Sequence, residues 1–211
     1  MEPTNDEQLL LTDDEVIAIA ARRESFWPTV FPSVDVEDRD ALVNATFRGL
    51  RSLVARELAD DAAVPVASVA KLADTACGRT DVISVYVGDD GFQRASLAMA
   101  SAHYRSGNEW LLETISPAGL HGFSWCSQEN TVRYLQMLLD AALLAEVPKS
   151  AEPDAPLLRL CIAFGERDGA TVLAARPRQA QQVQLGRDGK ASGPPSAVTG
   201  INAEVQRLAL R

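Results

Sequence analysis

Asp81-Val-Ile-Ser-Val-Tyr-Val-Gly88 is the stretch at which the chain changes its period. Before it, apolar residues return every three to four positions. From it onward they alternate with polar ones, the spacing of a pleated strand whose successive side chains point to opposite faces. The run leads into Gly88-Asp-Asp-Gly91, and further β-rich runs follow over Phe92 to Ala102, Glu109 to Ser116 and Leu120 to Cys126, with the polar turn Arg105-Ser-Gly-Asn108 among them. Turn residues separating β-rich runs at about ten-residue spacing predict an antiparallel meander.

On the N-terminal side, Leu11-Thr-Asp-Asp-Glu15 opens a helix. Thr12 is a capping threonine, Glu15 reaches back to it from three residues on, and Val16, Ile17 and Ala20 follow at helical spacing. This helix is expected over Asp13 to Arg23. Phe26-Trp-Pro-Thr-Val-Phe-Pro32 contains two prolines, which disfavour regular helix, so an extended loop rich in aromatics follows. From Glu37 to Ala59, the positions Leu42, Ala45, Leu50, Leu53, Val54 and Leu58 predict a long amphipathic helix. A shorter one is expected over Val66 to Cys77, with Val69, Leu72 and Ala73 on one face and Gly78 closing its end.

On the C-terminal side, Gln128 to Ala145 closes the meander as a helix with Val132, Leu135, Leu138, Leu139 and Ala142 toward the core. Lys149 to Pro156 is a polar, proline-containing link, and the pattern then begins again. Leu157 to Phe164 turns at Arg167-Asp-Gly169, Ala170 to Arg176 returns, Gln182 to Leu185 continues and Arg187-Asp-Gly-Lys190 turns once more, before a last helix over Gly200 to Leu210. Both halves read as a strand meander followed by a helix. The fold class is therefore α+β, with a mostly antiparallel sheet from two pseudo-repeated units, covered by helices. A single domain over 1–211 is expected, with sub-units 1–147 and 157–211 joined by the link.

The 211 residues suffice to bury roughly 70% of the unfolded surface, so a packed core needs no metal or disulfide staple. A hydrophobic share of 46% and a charged share of 23% are those of a globular chain. Acidic residues outnumber basic ones by 29 to 20, and the net charge of -9 has the wrong sign for a phosphate backbone, so no nucleic-acid partner is expected. All but three of the basic residues are arginines, a skew that points to a high-GC bacterial source. The acidic Met1-Glu-Pro-Thr-Asn-Asp-Glu7 lacks the basic and apolar regions of an export signal, and even the most apolar stretch, Tyr134 to Val147, is cut by Gln136, Asp140 and Glu146. A cytoplasmic protein without a membrane span is the expectation.

No motif names a reaction. Cys77, Cys126 and Cys161 form no C-x-x-C pair, so buried free thiols are expected rather than a disulfide framework or a zinc ribbon. Gly122-x-Ser124 resembles the start of a nucleophile elbow, but Cys126 stands where the second glycine belongs, and both histidines, His103 and His121, precede the serine. A plain strand with a glycine easing its twist accounts for the segment. The two histidines lie in no metal-ligand spacing, and neither G-x-G-x-x-G nor G-x-x-x-x-G-K-[ST] occurs, so no metal, nucleotide, other cofactor or catalytic residue is predicted. An enzyme without a recognisable motif and a small-ligand-sensing regulatory domain stand as the alternative functions.

The aromatics carry the remaining signal. Phe26, Trp27 and Phe31 lie in the proline-containing loop, and Trp110, Phe123 and Trp125 lie on adjacent predicted strands. One account packs both trios into the core. The other leaves part of them on an apolar surface with a polar rim, such as Arg94, Arg105 and Glu109, that binds another protein.

The order of Leu11-Thr-Asp-Asp-Glu15 opening a helix, the aromatic–proline loop ending at Pro32, a long Asp/Arg/Ala/Leu helix, a short helix, and Val82-Ile-Ser-Val-Tyr-Val-Gly88 starting a meander that ends in a helix resembles the EspG family. These are cytoplasmic chaperones of type VII (ESX) secretion in mycobacteria and relatives. The second round of strands and helix over Leu157 to Leu210 is similar to that family's pseudo-duplicated fold. The resemblance implies a protein-binding chaperone or adaptor that holds an exported or helical partner through apolar contacts, with recognition near the Arg105–Asn108 hairpin. The partner-binding candidates are Arg94, Arg105, Asn108, Trp110, Trp27 and Phe31.

Overall fold

The structure is a computed structural model that describes residues 8–78, 81–88, 97–145, 159–166, 169–187 and 190–210. It is α+β, as the change of period predicts, and every strand pairing among the described residues is antiparallel. The chain divides into two compact units, Met1–Thr80 with Tyr104–Cys126, and Asp81–His103 with Ser127–Arg211.

The first unit begins with a short strand that sequence periodicity did not reveal, β1 (Leu9–Thr12), followed by α1 (Asp13–Arg22), α2 (Arg39–Ala55) and α3 (Ala67–Cys77). The predicted capping box is formed: Thr12 Oγ1 accepts from Glu15 N at 3.3 Å, and Glu15 Oε2 accepts from Thr12 N at 2.9 Å. β1 pairs with β5 (Leu120–Cys126), which pairs with β4 (Glu109–Ile115).

α2 stops at Ala55 rather than at the expected Ala59. Glu57 adopts a left-handed φ of 57°, Leu58 N donates to Leu53 O at 2.8 Å and Glu57 N to Val54 O at 3.0 Å, a C-terminal closure usually made by glycine. α2 comes closest to α1 at its small residues, Ala45 and Gly49, with Leu42 packed beside them. A Cβ at Gly49 would lie 2.0 Å from Asp14 O and 2.8 Å from the Ala18 methyl, so the two backbones meet closer than any side chain there permits.

The second unit holds β2 (Asp81–Gly88), α4 (Gln128–Leu144), β6 (Arg159–Glu166), β7 (Gly169–Arg176), β8 (Gln179–Gly186), β9 (Ser196–Ala197) and α5 (Ile201–Ala209). The strand β3 (Leu97–Ser106) belongs to this unit as far as His103 and to the first from Tyr104. β2 pairs with β6, β6 with β7, β7 with β8 and β8 with β9. α4 lies against β6 and β7, and α5 against α4. Ile83, Val85, Ile162, Phe164 and Leu173 share one face by register, and Cys161, Val172, Ala174 and Val183 cluster on the other. Both faces are buried, which explains why Leu157 to Phe164 alternates in only part of its length.

Of the expected turns, residues 167–168 and 188–189 lie outside the described residues, as does the Phe92 to Ser96 part of the expected second strand. Gly169 opens β7 under a steric constraint, because a Cβ there would lie 2.0 Å from Leu185 O. No helix among the described residues is long and apolar enough to cross a membrane.

Candidate functional site

A cluster of ionisable groups lies inside the first unit, built from the start of α1, the aromatic–proline loop and strands β3, β4 and β5. The capping box fixes Asp13 as the first residue of α1, and Asp13 N donates to Gly119 O at 2.9 Å, tying the helix start to the β4–β5 turn. On the sheet, Ile115 pairs with His121 and Glu113 with Phe123, so Glu113 and His121 occupy the same face of neighbouring strands.

His121 Nδ1 lies 2.6 Å from Glu113 Oε1 and its Nε2 lies 2.6 Å from Asp13 Oδ1. The remaining carboxylate oxygens are used as well. Asp13 Oδ2 accepts from Ser33 N at 2.7 Å and from Ser33 Oγ at 2.6 Å. Glu113 accepts from Thr29 Oγ1 at 3.0 Å, from Trp27 Nε1 at 3.4 Å and from the Tyr104 hydroxyl. Phe123 stacks beside the imidazole with ring centroids 6.3 Å apart, and Phe31 lies 6.0 Å away. His121, Asp13 and Glu113 are all fully buried.

Burial opposes a charge on His121, but the hydrogen bonds and negative charges of Glu113 and Asp13 together outweigh it, and the imidazole stands above the ordinary histidine range. The geometry suits this protonation state. Each ring nitrogen faces a carboxylate oxygen, and a neutral imidazole would turn a lone pair toward one of them. The cluster is a cation held between two anions with every oxygen satisfied.

A general acid or base must reach a substrate proton, and a nucleophile must reach its base. Both imidazole nitrogens are engaged by carboxylates and the group is sealed, so its chemistry is cohesion: it joins a helix start, a loop and three strands. A second buried acid, Glu15, works in the same way, accepting from Ser52 Oγ at 2.7 Å and from Arg56 Nη1 at 2.9 and 2.7 Å. Among the described residues, no group of three or more His, Cys, Asp or Glu is placed to hold a metal ion.

His103, in the second unit, is the opposite case. It is fully buried, its ring lies 5.6 Å from that of Tyr134, and neither ring nitrogen has a hydrogen-bond partner. Burial alone pushes its pKa down to about 4. An open groove of about 400 Å³ in this unit is lined by Val132, Arg133, Gln136, Gln206 and Leu210. Arg133 is already paired with Glu129 there, and Gln136 with Asn202 O.

The six candidate partner-binding residues separate into distinct places. Trp27 and Trp110 are each only 2% exposed, so these indoles offer no contact area to a partner. Trp27 and half-buried Phe31 belong to the packing around His121. The Arg105 guanidinium lies 5.9 Å over the Trp110 ring, Arg105 Nε donates to Gly107 O at 3.3 Å, and Asn108 is exposed in the same turn. Arg94 lies outside the described residues.

No motif spacing gives His121 a chemical partner, whereas in space it has two. The signal was legible in part. Centring the β4–β5 turn places Glu113 and His121 on one face, and that face is the one carrying Leu111 and Phe123, a core face on which an acid and a histidine must satisfy each other. Asp13, about a hundred residues away in sequence, gave no such signal.

The chain matches no protein-family profile and no curated protein.

Proposed function

We propose that the protein is a protein-binding chaperone or adaptor that holds an exported or helical partner through apolar contacts, in the manner of the cytoplasmic type VII secretion chaperones that its order of elements resembles. The observation that carries this reading is the contrast within the first unit. Its ionisable cluster is sealed and saturated, while Val43 and Phe47, one turn apart on α2, are left 44% and 59% exposed, and Phe26 in the aromatic loop 71% exposed. Large apolar groups outside a well-satisfied core add nothing to folding and lower their free energy when another apolar surface covers them. The net charge of -9 keeps such a chain soluble between binding events.

The test is co-purification from a cytosol that contains the partner, read by native mass spectrometry. The expected result is a stoichiometric complex with one protein species that survives extensive washing. Recovery of the chain alone, at every salt concentration tried, overturns the reading.

A further inference from the structure

α2 is amphipathic twice over. Its inner stripe, Ala45, Gly49 and Leu53, is buried, with Ala45 and Gly49 closing onto α1. On its outward side Val43, Phe47, Leu50 and Val54 follow one another at intervals of four, three and four residues, the first two exposed and the last two half-buried. Four-three-four spacing is the seam by which one helix packs lengthwise on another, with side chains of one entering the spaces of the other. A solvent-facing helix surface is ordinarily polar, so folding does not account for the exposure of Val43 and Phe47 at the N-terminal half of the seam.

The charges beside it are also left over. Arg23, Arg48 and Arg56 of the same unit each pair with an acid of their own chain, Asp74, Asp14 and Glu15 respectively. Arg39 and Arg51 flank the seam, twelve residues and therefore about 18 Å apart along the helix. Both are exposed, and among the described residues neither guanidinium has a hydrogen bond or ion pair. Asp40 borders the seam's N-terminal end on the helix itself, and Asp35, Glu37 and Asp38 are exposed in the segment that leads into it. Two unpaired guanidinium groups bordering an apolar seam, in a chain of net charge -9, are complementary to carboxylates on the flanks of an incoming helix.

We propose that the outer seam of α2 docks an amphipathic helix of a partner protein, one whose apolar residues repeat at three-four spacing and whose flanks carry Asp or Glu opposite Arg39 and Arg51. This rests on the protein-binding reading and specifies its partner. The helix lies along α2 with Phe47 as the central anchor, and the arginines choose among partners and set their register.

The experiment uses the full chain and two designed 21-residue helical peptides with leucine at the seam positions, one with glutamate and one with lysine on the flanks, followed by fluorescence anisotropy. Saturable binding of the glutamate peptide is expected, at least tenfold weaker in Phe47→Asp and in the milder Phe47→Gln, with circular dichroism unchanged in both. The glutamate peptide is expected to bind several-fold more tightly than the lysine peptide at low salt, with the preference reversed in Arg39→Glu/Arg51→Glu and erased at high salt. Absence of saturable binding, or binding indifferent to both Phe47 variants, overturns the proposal. So does a wild-type dimer in sedimentation that Phe47→Asp converts to monomer, since the seam is then occupied by a second copy. Retention of a cytosolic partner by wild type and by Phe47→Asp alike defeats the docking site while leaving the chaperone reading standing. Failure to retain any partner defeats the chaperone reading itself.

Discussion

Replacing His121 by glutamine tests whether the buried cluster is an ionic clasp. Glutamine is uncharged, and its amide can donate to one carboxylate while its oxygen meets the other, acceptor against acceptor. Asp13 and Glu113 are then left buried with hydrogen bonds but no counter-charge. Removing one partner of a buried ion pair costs about 3–5 kcal/mol, because the abandoned charge keeps its desolvation penalty. That is a large fraction of the stability of an ordinary domain. The assay is urea unfolding followed by tryptophan fluorescence, which is sensitive here because Trp27 itself donates to Glu113. The pH dependence supplies an independent sign. His121 is raised in the folded chain, so its contribution is complete below the unfolded histidine value of about 6.5 and is lost as pH rises through the higher folded value. Wild-type stability should therefore fall from neutral to alkaline pH, and the part of that fall due to His121 should vanish in His121→Gln. A loss under 1 kcal/mol, or a wild-type stability that is flat or rises above pH 6.5, refutes the clasp.

Gly49→Ala sets two effects against each other: alanine favours the helix by about 1 kcal/mol, but its methyl would lie 2.0 Å from Asp14 O and force α1 and α2 apart. Overpacking costs about 1–3 kcal/mol, so a net loss is expected in denaturant unfolding, and unchanged or increased stability counts against the close approach. Because His103 has its pKa pushed down to about 4, the unfolded chain takes up a proton first as pH drops below about 6.5, and stability falls by about 3 kcal/mol by pH 4. His103→Leu should abolish that share of the acid lability, as measured by the difference between the two unfolding curves. Glu57→Gly should raise stability by about 0.5–1 kcal/mol, since glycine adopts the left-handed φ of 57° without steric cost. Trp110→Ala should cost about 3–5 kcal/mol as a core truncation, so any loss of partner binding should track the loss of folded protein in circular dichroism.

The outline of the fold was legible where the signal is local. The Thr12–Glu15 capping box, the β5 boundaries at Leu120 and Cys126, and α4 from Gln128 each rest on residues within a few positions of one another. The end of α2 was not, because a glutamate performs at Glu57 what glycine usually does. β1 escaped because four residues show too little alternation and its pairing with β5 spans more than a hundred residues. Period alone does not separate the inner and outer stripes of α2: Leu50 and Val54 fit a helical period as well as Ala45 and Leu53 do, and the contacts of Ala45 and Gly49 with α1 tell which side faces in. The same limit explains the site. Glu113 and His121 are eight residues apart on one hairpin and could be paired from register, while Asp13 joins them through tertiary packing that no spacing encodes.

Arg56 ties the solubility of the chain to its folding. Among the described residues β1 is the outermost strand of its unit, and an outer edge offers unpaired backbone groups to any strand of another molecule. Arg56 Nη2 donates to Leu10 O at 2.8 Å, covering that edge, while Nη1 of the same guanidinium holds the buried Glu15. The strand it guards contains Leu9, Leu10 and Leu11, a poor sequence to leave open to neighbours. Whatever lets water reach Glu15 frees the arginine that shields Leu10, so local opening at the end of α2 would surface as self-association before it registered as loss of structure.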